Sequence, residues 1–321
     1  MSKDNVLLKV RKITTSFGVP IAFLFTILLF SYLRPESFLT IRNANAILTI
    51  AAPILVSALG CTIILSLGEL DLSFAAVIGL ASAITFLMLA EDKLNLPWGI
   101  AIIGGIFTGA LAGVLNGLFV SYLGISSIIT TLGMGTLLVG IEYFFTDQVT
   151  YYGAVPKTFL IIGQGRNFLI NNQVWIAAFI AFLIYILLQH TELGRFFYAI
   201  GGNSEVARLS GIRVKYVRAI GFIIASSLAA ISGIILTSQS ASSSPAIGQP
   251  YLLPSLTSAF LGTSMFKQGQ FNVPGTIVGV VFLGVIQTGL IMLHLSTAAI
   301  NVTQGAILII AVLFSRFGSR D

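Results

Sequence analysis

The sequence predicts an all-α, polytopic membrane protein: one transmembrane domain over residues 1–321 with about ten membrane segments, some short or broken. Three observations predict it. Charged residues make up only 9% of the chain against 56% hydrophobic, where a soluble globule carries about 25% charged residues. The apolar residues fall in blocks close to the ~20 residues a helix needs to cross a bilayer, with a mean hydropathy of +0.98. The basic residues gather between alternate blocks, as they do when spans have a fixed orientation.

The basic N-terminus, MSKDNVLLKVRK, precedes the first apolar run, Phe17 to Leu33. A secretory signal would end in a small-residue cleavage site. Arg34-Pro35-Glu36 stands there instead and further spans follow, so an uncleaved first helix is predicted. The second span runs from Ala44 to Leu67, the third from Leu72 to Ala90, the fourth from Trp98 to Leu123 and the fifth from Ser126 to Phe145. A 27-residue polar stretch, Thr146 to Asn172, leads to the sixth, Gln173 to Leu188. The seventh is Tyr216 to Ser238, the ninth Pro274 to Leu293 and the tenth Ala298 to Phe314. The eighth, Tyr251 to Met265, has only 15 residues and is interrupted by Pro254 and Gly262. So short a segment is tolerated in a bilayer only where protein covers its backbone or it lines a wet cavity. The same holds around Leu67-Gly68-Glu69-Leu70-Asp71.

Ten crossings place both ends on one side, and charge identifies that side. With the N-terminus cytoplasmic, the inside holds Lys3, Lys9, Arg11, Lys12, Arg195, Arg208, Arg213, Lys215, Arg218, Lys267, Arg316 and Arg320. The outside holds the other five of the 17 basic residues: Arg34, Arg42, Lys93, Lys157 and Arg166. Both termini are therefore expected in the cytoplasm. Although the pI is about 9.5, these residues flank spans and form no patch for nucleic acid. The lone Cys61 lies inside a span and can form no internal disulfide or metal-ligand set. His190 and His294 belong to no metal motif, and no nucleophile–His–acid set can be assembled, so an enzyme is not expected.

Part of the chain echoes itself. Leu118, Leu123, Ile128, Thr131 and Gly133 recur 172 positions later as Leu290, Leu295, Ile300, Thr303 and Gly305. Upstream, Gly105, Gly109, Gly113 and Gly117 are spaced by four, and Gly275, Gly279, Gly284 and Gly289 by four or five. Residues four apart share a helix face, and such stripes let membrane helices approach closely. With ten crossings the two copies run in opposite directions, as in an inverted repeat.

Four segments carry a family resemblance. LSLGELDLS (Leu65 to Ser73) has Glu69 where the family pattern has a second glycine. Asn116-Gly117 and GISSIITTLG (Gly124 to Gly133) form a second match, and TELGRFFYAIGGNSEVARLSGI (Thr191 to Ile212) is the most specific. Leu261-Gly262-Thr263-Ser264 and Pro274-Gly275-Thr276 match in outline, around a turn, Phe266-Lys267-Gln268-Gly269-Gln270, that is less glycine-rich than usual. The chain resembles the permease family of bacterial ATP-driven importers for ribose and other simple sugars, a group that includes autoinducer-2 permeases. The resemblance implies an inner-membrane permease subunit, with no catalytic site and no bound cofactor, paired with a second permease chain, identical or homologous. Two cytoplasmic ATPase subunits, or one fused ATPase, would use the ATP, and an extracytoplasmic binding protein would deliver solute. No GxxxxGK[ST] phosphate loop occurs in the chain. The alternative is a secondary transporter or channel driven by an ion gradient, which needs central titratable groups; beyond Glu69 and Asp71, Glu142 and His294 are the obvious ones.

Candidate residues follow. In Gly201, Gly202, Asn203, Ser204, Glu205, Ala207, Arg208, Leu209 and Gly211 the pattern predicts a short capped helix. Asn203 or Ser204 can accept orphan backbone N–H groups, Glu205 and Arg208 suit the helix dipole, and Gly211 can supply the left-handed closing residue before Ile212. Val206 and Leu209, three apart, give it an apolar side. The resemblance assigns this segment to ATPase coupling. Arg213, Lys215 and Arg218 read as anchors near anionic lipid. Glu69 and Asp71 need protein, water or a basic partner in or near a bilayer, and suit a junction or gate. Solute contacts are expected from uncharged groups, Asn116, Ser127, Thr130, Thr131, Gln287, Thr288, Asn301, Thr303 and Gln304, which can exchange hydrogen bonds with a sugar without trapping it. Ser238 to Ser244, SQSASSS, reads as an outside loop able to meet the binding protein, as does the Tyr151-Tyr152 region.

Overall fold

The computed structural model describes residues 3–267 and 269–318, with side chains over 18–267 and 269–313. Of the basic residues counted above, Lys3, Lys9, Arg11, Lys12 and Arg316 have no described side chain, and Arg320, like Gln268, lies outside the described residues. The order is α1 (Lys3–Leu33), α2 (Pro35–Phe38), α3 (Ile41–Ser66), α4 (Phe74–Leu89), α5 (Trp98–Gly117) continuing through a π turn (Leu118–Tyr122), and α6 (Ser127–Thr146). After β1 (Tyr151–Tyr152) come α7 (Lys157–Gln164), β2 (Arg166–Asn167), β3 (Ile170–Asn171) and α8 (Asn172–His190). The chain continues as α9 (Glu192–Gly202), α10 (Ser204–Leu209), α11 (Val214–Ser240), β4 (Ser242–Ser243), α12 (Gln249–Gly262), α13 (Val273–Met292) and α14 (Thr297–Gly318).

Each of the ten apolar segments falls on a helix. Among the described residues, six helical stretches are long and apolar enough to cross a membrane: 41–66, 98–122, 127–146, 172–190, 214–240 and 273–292. The apolar parts of α1, α4 and α14 are shorter. The eighth segment is α12, a 14-residue helix with Pro254 inside it.

Contacts group the chain into two compact units, residues 52–252 and residues 1–51 with 253–321. In the first, α4 is buried almost throughout and packs against α5, α6 and α11. Gly109, Gly113 and Gly117 of α5 face α11, and Gly105 lies between Thr85 of α4 and Ile234 of α11: a methyl at Gly109 would come 2.5 Å from the Ser226 carbonyl oxygen, and one at Gly113 2.6 Å from the Ile223 Cα. The stripe thus brings the two backbones together, as its spacing predicts. Phe86, Leu89, Phe159 and Ile234 form a further apolar cluster of this unit. In the second unit, Leu261, Phe282, Leu283 and Ile286 cluster with Val19. There Gly275 and Gly279 admit α12, whereas Gly284 faces Ile47 and Gly289 the Phe30 ring. The Asn272 amide closes the α12–α13 turn, accepting from Gly275 N (2.8 Å) and donating to Gly262 O (3.0 Å). In that glycine-poor turn Phe266 itself takes a left-handed φ of 57°.

The polar stretch 146–172 is ordered rather than a bare loop. Phe159 of α7 is fully buried, and Ser238 of α11 accepts from Gly163 N (2.8 Å) and donates to Phe159 O (2.7 Å). This corrects the expectation of an outside loop at Ser238 to Ser244. α11 continues to Ser240, and Ser242 and Ser243 are buried, paired antiparallel with Tyr152 and Tyr151. The reason is that serine in a helix can donate to the carbonyl four residues back, as Ser240 does to Leu236 O at 2.9 Å.

Candidate functional site

Asn203 stands in extended conformation between α9 and α10, and its Oδ1 accepts from Glu205 N (3.0 Å) and Val206 N (3.1 Å). Asn203 is therefore the cap, and Ser204 the first helical residue. At the other end Gly211 takes φ 86°. Gly211 N donates to Arg208 O (3.0 Å) and Ile212 N to Ala207 O (3.1 Å), the paired closure that a left-handed glycine permits. Arg208 holds the Glu205 carboxylate through two N–H groups, Nε reaching Oε2 at 3.1 Å. These hydrogen bonds, then the opposite charges, lower the Glu205 carboxyl and raise the Arg208 guanidinium from their ordinary pKa values. Because both are well exposed, the pair fixes shape more than it adds stability. Ala207 turns inward, while Val206 and Leu209 are 57% and 75% exposed. The apolar side of this stiff helix points outward.

Gly201, near the end of α9, lies directly on the break between α3 and α4. A methyl at Gly201 would stand 3.0 Å from the Ser66 carbonyl carbon and 3.2 Å from Gly68 N, whereas one at Gly202 would meet nothing within 4 Å. Gly68 itself has φ 76°, a conformation open to glycine at little cost.

From Glu69 to Ser73 the backbone is non-helical, and side chains from neighbouring helices satisfy it. Leu72 N donates to Thr131 Oγ1 (3.0 Å) and Leu70 N, more weakly, to Ser127 Oγ (3.4 Å). Asp71 is buried; its Oδ1 accepts from Ser73 N (2.8 Å) and Ser73 Oγ (2.6 Å), and its Oδ2 from Asn116 Nδ2 (3.3 Å). Asn116 also donates to Ser73 Oγ at 3.0 Å. Glu69 forms an ion pair with Arg218, Oε1 to Nε 3.0 Å, both side chains under 20% exposed. Arg218, expected to be a lipid anchor, instead pairs its guanidinium with Glu69, and removing either partner would leave the other charge largely buried and uncompensated. Arg213 lies over the Tyr216 ring, 5.2 Å from its centroid.

The polar residues proposed to meet solute divide between the two units. Asn116, Ser127 and Thr131 gather at the break, where each makes at least one of the bonds above. Thr130 is buried nearby in sequence, and neither its hydroxyl nor Asn116 Oδ1 finds a partner among the described residues. In the other unit Thr288 has a buried hydroxyl likewise without a partner, and Gln304 is buried. Gln287 is half-buried, Asn301 is exposed and Thr303 donates to Ala299 O at 2.8 Å. Sequence reasoning missed two partnerships: Arg218 with Glu69, and Glu142 with the backbone of Ala246 (3.0 Å). The acids themselves were the signal, since each stands in or beside an apolar span. Among the described residues no cluster of His, Cys, Asp and Glu could hold a metal ion.

A family model described as branched-chain amino acid transport system / permease component matches residues 43–312. The ribose import permease protein of Haemophilus influenzae is 28% identical over 300 residues, 92% of each chain. That of Bacillus subtilis is 31% identical over 292 residues, 90% of this chain and 89% of its own. The L-arabinose transport system permease protein of Escherichia coli is 30% identical over 260 residues, 81% of this chain and 78% of its own. This is a multi-pass membrane protein, and the match runs through the helix break, the capped α10 segment and the glycine stripes alike. The chain belongs to the family of permease components that this model describes.

Proposed function

We propose that the chain is the pathway-forming permease of an ATP-binding-cassette importer that carries a simple sugar across the bacterial inner membrane. The observation that carries this is α10: a helix closed at both ends, with Val206 and Leu209 held outward, within a chain that belongs to a permease family. Such a helix can seat in a groove of a cytoplasmic ATPase and pass on its motion without bending. The sugar relatives favour a sugar cargo, and uncharged side chains such as Thr130 and Thr288 can hydrogen-bond hydroxyls without holding them too tightly to release.

In this reading residues 1–321 form one permease domain with ten crossings and cytoplasmic termini. The segments around Leu118 to Gly133 and Leu290 to Gly305 act as an inverted repeat, and α12 is a short segment beside the path. Two permease chains, identical or homologous, work with two ATPase subunits or one fused ATPase and a binding protein outside. Glu69 and Asp71 form the junction or gate. The test is reconstitution with the ATPase and binding protein, offering ribose, arabinose and allose beside leucine, isoleucine and valine. Sugar uptake that stops when the ATPase is inactivated is expected. Gradient-driven flux through the chain alone would overturn the reading, and uptake of the amino acids instead would overturn the cargo.

A further inference from the structure

Glu142, near the end of α6, is a carboxylate in an apolar helix with no exposed surface. Its Oε1 accepts from Ala246 N at 3.0 Å, and its Oε2 has no hydrogen-bond partner among the described residues. Gly79 of α4 makes room for it, since a methyl there would lie 2.7 Å from Oε2 and 2.9 Å from Oε1. Acidic groups are rare inside membrane helices, and where they occur they mark working parts.

The partner is in the connection between α11 and α12. Two non-glycine residues of that connection are left-handed, Ala241 (φ 51°) and Ala246 (φ 59°). Such residues keep that conformation only where their surroundings impose it. Three contacts impose it here. Ser242 and Ser243 pair with Tyr152 and Tyr151, Gly248 packs against the Ala75 backbone, and Glu142 holds Ala246. Beyond the connection lies α12, a continuous 14-residue helix with Pro254 inside it.

We propose that Glu142 is a positioning residue for transport: it clasps the α11–α12 connection, fixes the direction in which the chain enters α12, and releases it when the outer side opens. This rests on the permease reading. The clasp works through the carboxylate as an acceptor, so an amide at the same place suffices and an aliphatic side chain does not.

The test uses the assembled transporter carrying Ser243→Cys as a reporter; the native Cys61 is buried. A membrane-impermeant maleimide is applied from outside while uptake is measured in parallel. Glu142→Leu is expected to speed labelling and slow uptake by about tenfold, the scale of a lost buried hydrogen bond, with the amount of assembled complex unchanged. Glu142→Gln is expected to stay within about threefold of the parent on both measures, since its carbonyl still accepts from Ala246. Gly79→Ala, which crowds the carboxylate off its seat, is expected to resemble Glu142→Leu and to add nothing in that background. Should Glu142→Leu fail to assemble, Gly79→Ala and Glu142→Gln carry the comparison. Parent-like labelling and uptake in Glu142→Leu, or a glutamine variant as impaired as the leucine one, would overturn the clasp. A parent complex unable to move any solute with ATP would refute the permease reading instead.

Discussion

Gly201 and Gly202 are neighbours in sequence and opposites in environment. A methyl at Gly201 overlaps the Ser66 carbonyl and crowds Gly68 N, whereas Gly202 faces open space. Gly201 therefore packs the end of α9 against the helix break by backbone contact, and in the proposed function this is the route by which motion of α10 would reach Glu69. Gly201→Ala is expected to lower ATP-driven uptake by about tenfold or more while Gly202→Ala stays within about twofold, because only the first must displace backbone. Equal uptake by the two variants would separate the break from the coupling segment. Glu69 makes a second residue-scale case. Glu69→Gln leaves the half-buried Arg218 without its counter-charge, an expected cost of ~1–3 kcal/mol between the exposed and buried limits. Thermal unfolding in detergent measures it, and a Glu69→Arg/Arg218→Glu double variant recovers part of the loss if the pairing itself matters. That an acid in this place needs a partner was legible in the sequence. Which base supplies it was not, because 149 positions separate Glu69 from Arg218 and only the packing of α11 brings them together.

At the scale of elements, legibility followed locality. The α10 cap, its charged pair and its glycine closure all lie between Asn203 and Ile212, so the sequence carries every part of them. The α5 glycine spacing told of a close helix approach, but not that α11 would be the neighbour. α7 was missed because its eight residues are too few for a span and lie within a polar stretch; it is held by Phe159 and by a serine 75 positions away. The Val206 and Leu209 side chains are exposed, and in the proposed function they meet the ATPase. Leu209→Asp is expected to leave membrane insertion unchanged and to weaken ATPase association by about tenfold or more, the effect of placing a charge in an apolar contact. Replacing Glu205 and Arg208 together by alanine is expected to weaken it less, since that change softens the helix and leaves its apolar side in place. Co-purification of the ATPase ranks the variants. Undiminished capture by Leu209→Asp would remove α10 from the contact.

For the whole molecule, hydropathy located ten apolar helices, because crossing a bilayer imposes a length and a composition on a span by itself. Among the described residues, six of them are long and apolar enough to cross. The grouping into residues 52–252 and the remainder was invisible, because it depends on which helices touch. The serine run at the end of α11 was misread for a related reason. Hydropathy scores a hydroxyl as polar, yet Thr237 and Ser240 return theirs to carbonyls of their own helix. Orientation supplies the last prediction. Between Tyr152 and Ser210, both exposed, the chain has one helix long enough to cross, α8. Cysteines placed at these two positions are therefore expected to label from opposite faces, Tyr152→Cys from outside and Ser210→Cys from the cytoplasm. The basic residues support that assignment, since Arg195, Arg208, Arg213, Lys215 and Arg218 all lie just beyond α8. Labelling of both from one face would mean that α8 does not cross. Labelling of Ser210→Cys from outside would put α10 beyond the reach of any ATPase, and the transport mechanism proposed for this chain would fail with it.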